Sequence, residues 1–138
     1  MTIDELKLGQ SATSIRTVTQ SDIDRFADVS GDRNPVHLDP GYAANTPFQG
    51  VIAHGMLSAS FISAIIGNTL PGKGSIYLGQ SLRFLAPVRP GDEVKTIVSI
   101  SSITPEKRRV ICSTSCYVGQ TKVIDGEATI LVASGQQA

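Results

Sequence analysis

Between Asp39 and Lys73 the chain runs for 33 residues, Pro40 to Gly72, without a single Asp, Glu, Lys or Arg. A stretch so free of charge has to be enclosed, either by lipid or by the rest of its own fold. Its length permits a membrane span. However, Asn45, Gln49, His54, Ser58, Ser60, Ser63 and Asn68, with Pro47 among them, make it too polar and too broken for hydrocarbon. The spacing instead predicts a helix over about 53–70, with Met56, Leu57, Ala59, Phe61, Ile62, Ala64, Ile65 and Ile66 spread round most of its circumference. Such a helix is expected to be covered on most faces, and Pro71-Gly72 ends it.

After that point the apolar period changes from helical to two. Ile76, Leu78, Leu82, Phe84 and Ala86 share one parity, as do Val94, Thr96, Val98 and Ile100, then Val110, Cys112, Thr114, Cys116 and Val118, then Ala128, Ile130 and Val132. Pro90-Gly91, Thr104-Pro105 and Gly119-Gln120 fall at hairpin-like intervals, which predicts an antiparallel meander. Asp125-Gly126 reads as a bulge inside one long last strand. Upstream, Ser11 to Val18 predicts a first strand. Ser21 to Val29 predicts a short amphipathic helix, with Ser21 and Asp24 spaced as a capping box and Ser30-Gly31 as its end. Asp39 can cap a brief helix from Pro40 to Ala44. The expected architecture is α+β, a curved antiparallel sheet wrapped around a long central helix. At 138 residues this makes a single domain, 1–138, with a polar tail from Ser134. A lone curved sheet leaves edges and an outer face uncovered, so a homodimer is expected on physical grounds.

Twelve Lys and Arg balance twelve Asp and Glu, and the basic residues are scattered, so neither composition nor clustering favours nucleic acid. The N-terminal MTIDELKLGQ lacks the features of a secretory or transit signal, and a cytoplasmic location follows as the default. Cys112 and Cys116 share one face of a strand roughly 13 Å apart at ~3.3 Å per residue, too far to bridge. Their spacing within a strand does not suit zinc either, so two reduced, half-buried thiols are expected and no metal.

Three segments could carry chemistry. Gly67-Asn-Thr-Leu-Pro-Gly-Lys-Gly74 comes within one residue of a phosphate-binding P-loop. It lacks the hydroxyl residue after the lysine and runs from helix to strand, the reverse of what a P-loop needs, so it reads as a helix stop and turn. His54-Gly55 opens the central helix, where unpaired backbone N–H groups with the helix dipole behind them can polarise a carbonyl. Gly55 lets a ligand come close because it has no side chain. The loop Val29-Ser-Gly-Asp-Arg-Asn-Pro-Val-His-Leu-Asp39 places Asp32 and His37 five positions apart with a stiffening Pro35 between them. An acid and an imidazole on one loop can hold a water, one taking a proton as the other gives one, and Asn34 can orient the pair through its amide. Taken alone, Asp32 reads as an ordinary turn residue after Gly31 and His37 as an ordinary surface or core histidine. Together, an acid, an imidazole and an oxyanion-type donor are the minimum for adding water across a carbonyl-conjugated double bond.

Phe26-Ala-Asp-Val-Ser-Gly-Asp-Arg-Asn-Pro-Val-His37, with Ala43 after it, resembles the hydratase-2 motif of the MaoC-like family. Ile52-Ala-His-Gly-Met-Leu57 and Pro71-Gly-Lys-Gly-Ser-Ile-Tyr-Leu-Gly-Gln80 extend the likeness over most of the chain. The short (R)-specific enoyl-CoA hydratases linked to polyhydroxyalkanoate synthesis are the most similar branch. The resemblance implies a hot-dog fold, a homodimer with sites at the subunit interface, and reversible syn hydration of trans-2-enoyl-CoA to (R)-3-hydroxyacyl-CoA. Asp32 and His37 would activate the water, Gly55 would polarise the thioester carbonyl, and Asn34 and Ser63 would support them. The partner it implies is an acyl-CoA thioester, with no cofactor and no metal. The alternatives are a 3-hydroxyacyl-acyl-carrier-protein dehydratase, a hot-dog thioesterase, and a non-catalytic acyl-thioester-binding subunit.

Overall fold

A computed structural model of the chain describes residues 1–134, so the tail beyond Ser134 lies outside the described residues. Five strands form one antiparallel sheet: β1 Ser11–Thr17, β2 Ile76–Phe84, β3 Glu93–Thr104, β4 Arg109–Val118 and β5 Thr121–Leu131, in the order β1-β3-β4-β5-β2. Four helices precede the second strand: α1 Gln20–Ser30, α2 Pro35–Leu38, α3 Pro40–Ala44 and α4 Gly55–Asn68. The long helix α4 lies against the sheet, and Ile62 and Ile66 meet Val94, Val98, Ile100, Val110 and Ile130 in the core. Each isoleucine so buried stabilises the fold by about 1.5–3 kcal/mol relative to exposure. This is the α+β, helix-in-sheet arrangement expected from the period change. No helix among the described residues is long and apolar enough to cross a membrane.

The inward parity of β3, β4 and β5 is as expected. Val94, Thr96, Val98 and Ile100 are buried, as are Val110, Cys112, Thr114 and Cys116, and then Ala128, Ile130 and Val132. Both thiols are free and fully buried rather than half-buried, and burial pushes Cys112 up to about 11. Cys116 sits 3.4 Å from the Thr96 hydroxyl. The Asp39 side chain accepts from the amides of Gly41 and Tyr42 and starts α3, as expected.

The strand order departs from a simple meander. β2 pairs with β5, not with β3, so Pro90-Gly91 closes no hairpin between neighbours. Residues 85–92 instead carry the chain across the end of the sheet, where the Val18 amide donates to the Asp92 carbonyl at 2.9 Å and Gly91 donates to the Val18 carbonyl. The β5 bulge is also displaced: Cys116 faces Ile124 while Tyr117 faces Lys122, leaving Val123 as the extra residue. Gly126 is regularly paired, and a glycine is needed there because a Cβ would lie 2.0 Å from the Ser81 carbonyl oxygen on β2.

Helix α4 is shorter than its apolar pattern and less enclosed. Met56, Ser60, Ser63, Ala64, Gly67 and Asn68 form an exposed stripe along it. At α1 the capping box is Thr19 with Asp22, one turn-start earlier than Ser21 with Asp24: the Thr19 hydroxyl accepts from the Asp22 amide, and Asp22 accepts from the Thr19 amide. The earlier box wins because its carboxylate also pairs with Arg16 from β1 at 2.9 Å and Arg25 at 2.7 Å. The Thr19 amide, helped by the Thr19 hydroxyl and Arg16, holds the Asp22 carboxyl below its ordinary range. Its stabilisation is therefore present above the unfolded carboxylate pKa, ~3.9, and is lost as pH falls through the lower folded value. Asp22→Asn should cost roughly 0.5–1 kcal/mol in urea melts at neutral pH. The difference from the unaltered chain should be smaller at an acid pH below ~3.9 than at neutral pH. An equal gap at both pH values would contradict this assignment.

Candidate active site

Helix α1 ends at Gly31, whose left-handed φ of 80° turns the chain out of the helix while its amide bonds to the Ala27 carbonyl. Ser30 then donates to the Phe26 carbonyl at 2.6 Å and accepts from the Asp32 amide at 3.1 Å, which fixes where Asp32 begins. His37 lies not in an open loop but on the one-turn helix α2, started by Pro35 with Asn34 as its cap. From α1, Gln20 reaches across to the His37 carbonyl at 3.2 Å. Asp32 stays exposed while His37 is buried.

The ring of His37 is set by a backbone carbonyl. Nδ1 lies 2.8 Å from the oxygen of Ile52, which can only accept, so Nδ1 carries a proton and, in the neutral ring, Nε2 is the nitrogen that keeps its lone pair. Asn34 supports Asp32, but through its backbone: its amide N–H donates to Asp32 Oδ1 at 3.2 Å, while its side-chain oxygen accepts from the Val36 amide. The expected orientation of the pair by the Asn34 side chain is thus replaced by a turn and a cap.

His54 joins this group from the far side. It is 3% exposed, its Nε2 lies 2.9 Å from the Asp32 carbonyl oxygen, and its ring stacks on His37 with centroids 3.8 Å apart and planes inclined by 28°. Phe26 covers it at 4.9 Å. Ligating atoms of Asp32, His37 and His54 all fall within 4.8 Å of one another, which brings the acid and the imidazole of the loop together. Proximity alone does not make this a metal centre. Imidazole lone pairs lie in the ring plane, and two near-parallel rings 3.8 Å apart cannot both aim at one ion ~2.1 Å away.

Next in the chain, Gly55 begins α4. His54, at the N-cap, makes no side-chain cap bond; Leu57 donates to the His54 carbonyl at 3.1 Å, but no partner among the described residues meets the amides of Gly55 and Met56, two residues that line a cavity of about 380 Å³. Ile52, His54, Gly55, Phe84, Val88 and Ile124 are among its walls. Two buried polar atoms among the described residues have no partner, His54 Nδ1 and Ser58 Oγ, and both residues line this cavity. Ser63 is not brought here. It is exposed on α4, eight residues past Gly55 and therefore roughly 12 Å along the axis. The sequence placed His54 only at the opening of the central helix; its contact with Asp32, 22 positions away, leaves no local pattern.

Comparison with known proteins settles the family. Residues 6–125 match the MaoC like domain. The chain belongs to the MaoC-like family. It is 50% identical over 129 residues to the (R)-specific enoyl-CoA hydratase of Rhodospirillum rubrum, covering 94% of this chain and 90% of that protein. It is 42% identical over 135 residues to the 3-hydroxybutyryl-CoA dehydratase of Methylorubrum extorquens, covering 98% of this chain and 86% of that protein. Among solved structures, the (R)-hydratase from A. caviae involved in PHA biosynthesis aligns with a TM-score of 0.91 at 42% identity, covering 94% of this chain and 98% of that one. The helix and its curved sheet are thus the hot-dog fold that the motifs implied.

Phe84 packs so closely on Gly55 that a Cβ added to Gly55 would sit 2.6 Å from two ring carbons. Since Phe84 is 52% exposed, the ring can swing outward. Gly55→Ala should therefore melt within ~3 °C of the unaltered protein, as alanine favours the helix and the ring yields. The Phe84 ring-proton resonances should shift; a much larger fall in Tm would show the ring to be locked in place.

Proposed function

We propose that this MaoC-like protein is an (R)-specific enoyl-CoA hydratase, a hydro-lyase that adds water reversibly to trans-2-enoyl-CoA. The observation that carries the reading is the grouping of exposed Asp32 with the ring of His37, whose Nδ1 is held by Ile52, next to His54 and the Gly55 amide at the start of α4. A water between Asp32 and His37 gives its oxygen to C3 of the enoyl group, and its proton passes through the pair to C2 on the same face. That makes the addition syn. Because Nδ1 is committed to Ile52, Nε2 is the imidazole nitrogen that exchanges protons with the water. As charge moves onto the thioester oxygen, the Gly55 N–H stabilises it, reinforced by the dipole of α4.

A homodimer belongs to the same reading. Ile76, Tyr77, Leu78 and Leu85 stand exposed on and just after edge strand β2, with Met56 on the exposed stripe of α4. A second copy pairing along that edge would cover them. Ser63 lies on the same stripe, so a supporting role for it would come from the assembled pair. Two free thiols suit a reducing compartment such as the cytoplasm, and the (R)-3-hydroxyacyl-CoA product is the form that polyhydroxyalkanoate synthesis consumes.

Purified protein mixed with crotonyl-CoA should remove the enoyl-thioester ultraviolet absorbance, and the product should be oxidised by an (R)-specific but not an (S)-specific 3-hydroxyacyl dehydrogenase. Asp32→Asn and His37→Gln should each lower kcat by about 10²-fold or more. Folded variants with nearly full activity would remove the mechanism, and turnover confined to carrier-protein thioesters would move the assignment to the dehydratase. Sedimentation should give twice the 14.6 kDa mass of one chain. A monomer with full activity would contradict the proposed pairing.

A further inference from the structure

We propose that His54 is a positioning residue that locks the distance between the two halves of the site, an inference that rests on the hydratase reading above. The halves come from different parts of the chain: Asp32 and His37 from the segment after α1, and the Gly55 amide from the start of α4. His54 is covalently next to Gly55, and its ring spans the gap to donate from Nε2 to the Asp32 carbonyl at 2.9 Å. A carbonyl oxygen only accepts, so Nε2 bears the proton and Nδ1 is bare. The burial agrees with this. Nδ1 is enclosed, with nothing among the described residues to receive a proton from it.

The two stacked imidazoles therefore hold opposite tautomers, each imposed by a backbone carbonyl. His37 has Nδ1–H on Ile52, and His54 has Nε2–H on Asp32. The consequence is a division of labour. His37 keeps a free nitrogen for the water, while the proton-bearing nitrogen of His54 is spent on the backbone of the acid. Phe26 on one side and His37 on the other leave the His54 ring little freedom to turn. Hydration needs the water oxygen at C3 and the carbonyl oxygen at the Gly55 amide at the same moment, and misplacing either by 1 Å can cost about 10²-fold.

The test separates the hydrogen bond from the ring. His54→Phe keeps the stack and removes the donor, whereas His54→Gln loses the ring but offers an amide nitrogen near the place of Nε2. His54→Phe should lower kcat by about 10- to 100-fold with KM within about 3-fold, and His54→Gln should lose less than about 10-fold. Equal activity of His54→Phe and the unaltered enzyme would overturn the proposal. So would a His54→Gln variant of similar Tm that is no better than His54→Phe. If neither variant folds, two-bond ¹H–¹⁵N spectra of the unaltered protein at mildly alkaline pH decide: His54 should report Nε2–H and His37 Nδ1–H. Nδ1–H on His54 in an active enzyme would sink the clamp alone. An inactive protein with the expected spectrum would sink the hydratase reading and leave the clamp.

Discussion

The site depends on a helix start that is left uncapped. Most helices satisfy their first amides with a Ser, Thr, Asp or Asn side chain, as Thr19 does for α1 and Asp39 for α3. At α4 the N-cap is a histidine whose proton goes to Asp32, so the Gly55 amide keeps its hydrogen free. A buried, charge-free body is what makes this tolerable. Ile62, Ile65 and Ile66 hold the helix in the sheet by packing, and the N-terminus need not contribute a cap to keep it in place.

Much of this was legible in the sequence because the relevant patterns are local. The burial of Val94 through Ile100 and of Val110 through Cys116 follows from period two over one covered face. Asp32 and His37 stand close because Gly31 and Pro35 leave the short segment between them, four residues long, few conformations. What escaped was long-range or degenerate. The alternation of Ile76, Leu78, Leu82 and Phe84 is the same whichever neighbour β2 takes, so nothing in it says β5 rather than β3. Gly126 signals equally a bulge and a close approach, and only the Ser81 carbonyl distinguishes them. Two overlapping capping boxes were available at α1, and the choice between them rested on Arg16, in another element.

His54 shows the same limit at the site. Its role comes from a ring that meets Asp32, His37 and Phe26 at once, and all three lie at least 17 positions away. The available signal was indirect: a histidine just before a glycine, at the start of a helix with no capping residue.

In the proposed hydration, the uneven burial of Asp32 and His37 has a chemical consequence. Asp32 is exposed and His37 is 8% exposed, so the acid faces the side from which water arrives, and the imidazole faces the packed interior. Had both been exposed, a bound water would exchange its hydrogen bonds with solvent and gain little orientation from the protein. Had both been buried, desolvation of the carboxylate would have opposed its ionisation. One group in each environment allows water to enter and still fixes one of its partners. The fixed partner is the one whose tautomer matters, and the Ile52 carbonyl, held between the Val36 and Val88 backbone contacts of residues 52 and 53, sets that tautomer without using a charge. In many acid–imidazole pairs a carboxylate orients the histidine. Here a neutral carbonyl does so, and the carboxylate in the group, held at Oδ1 by the Asn34 amide, keeps Oδ2 for water.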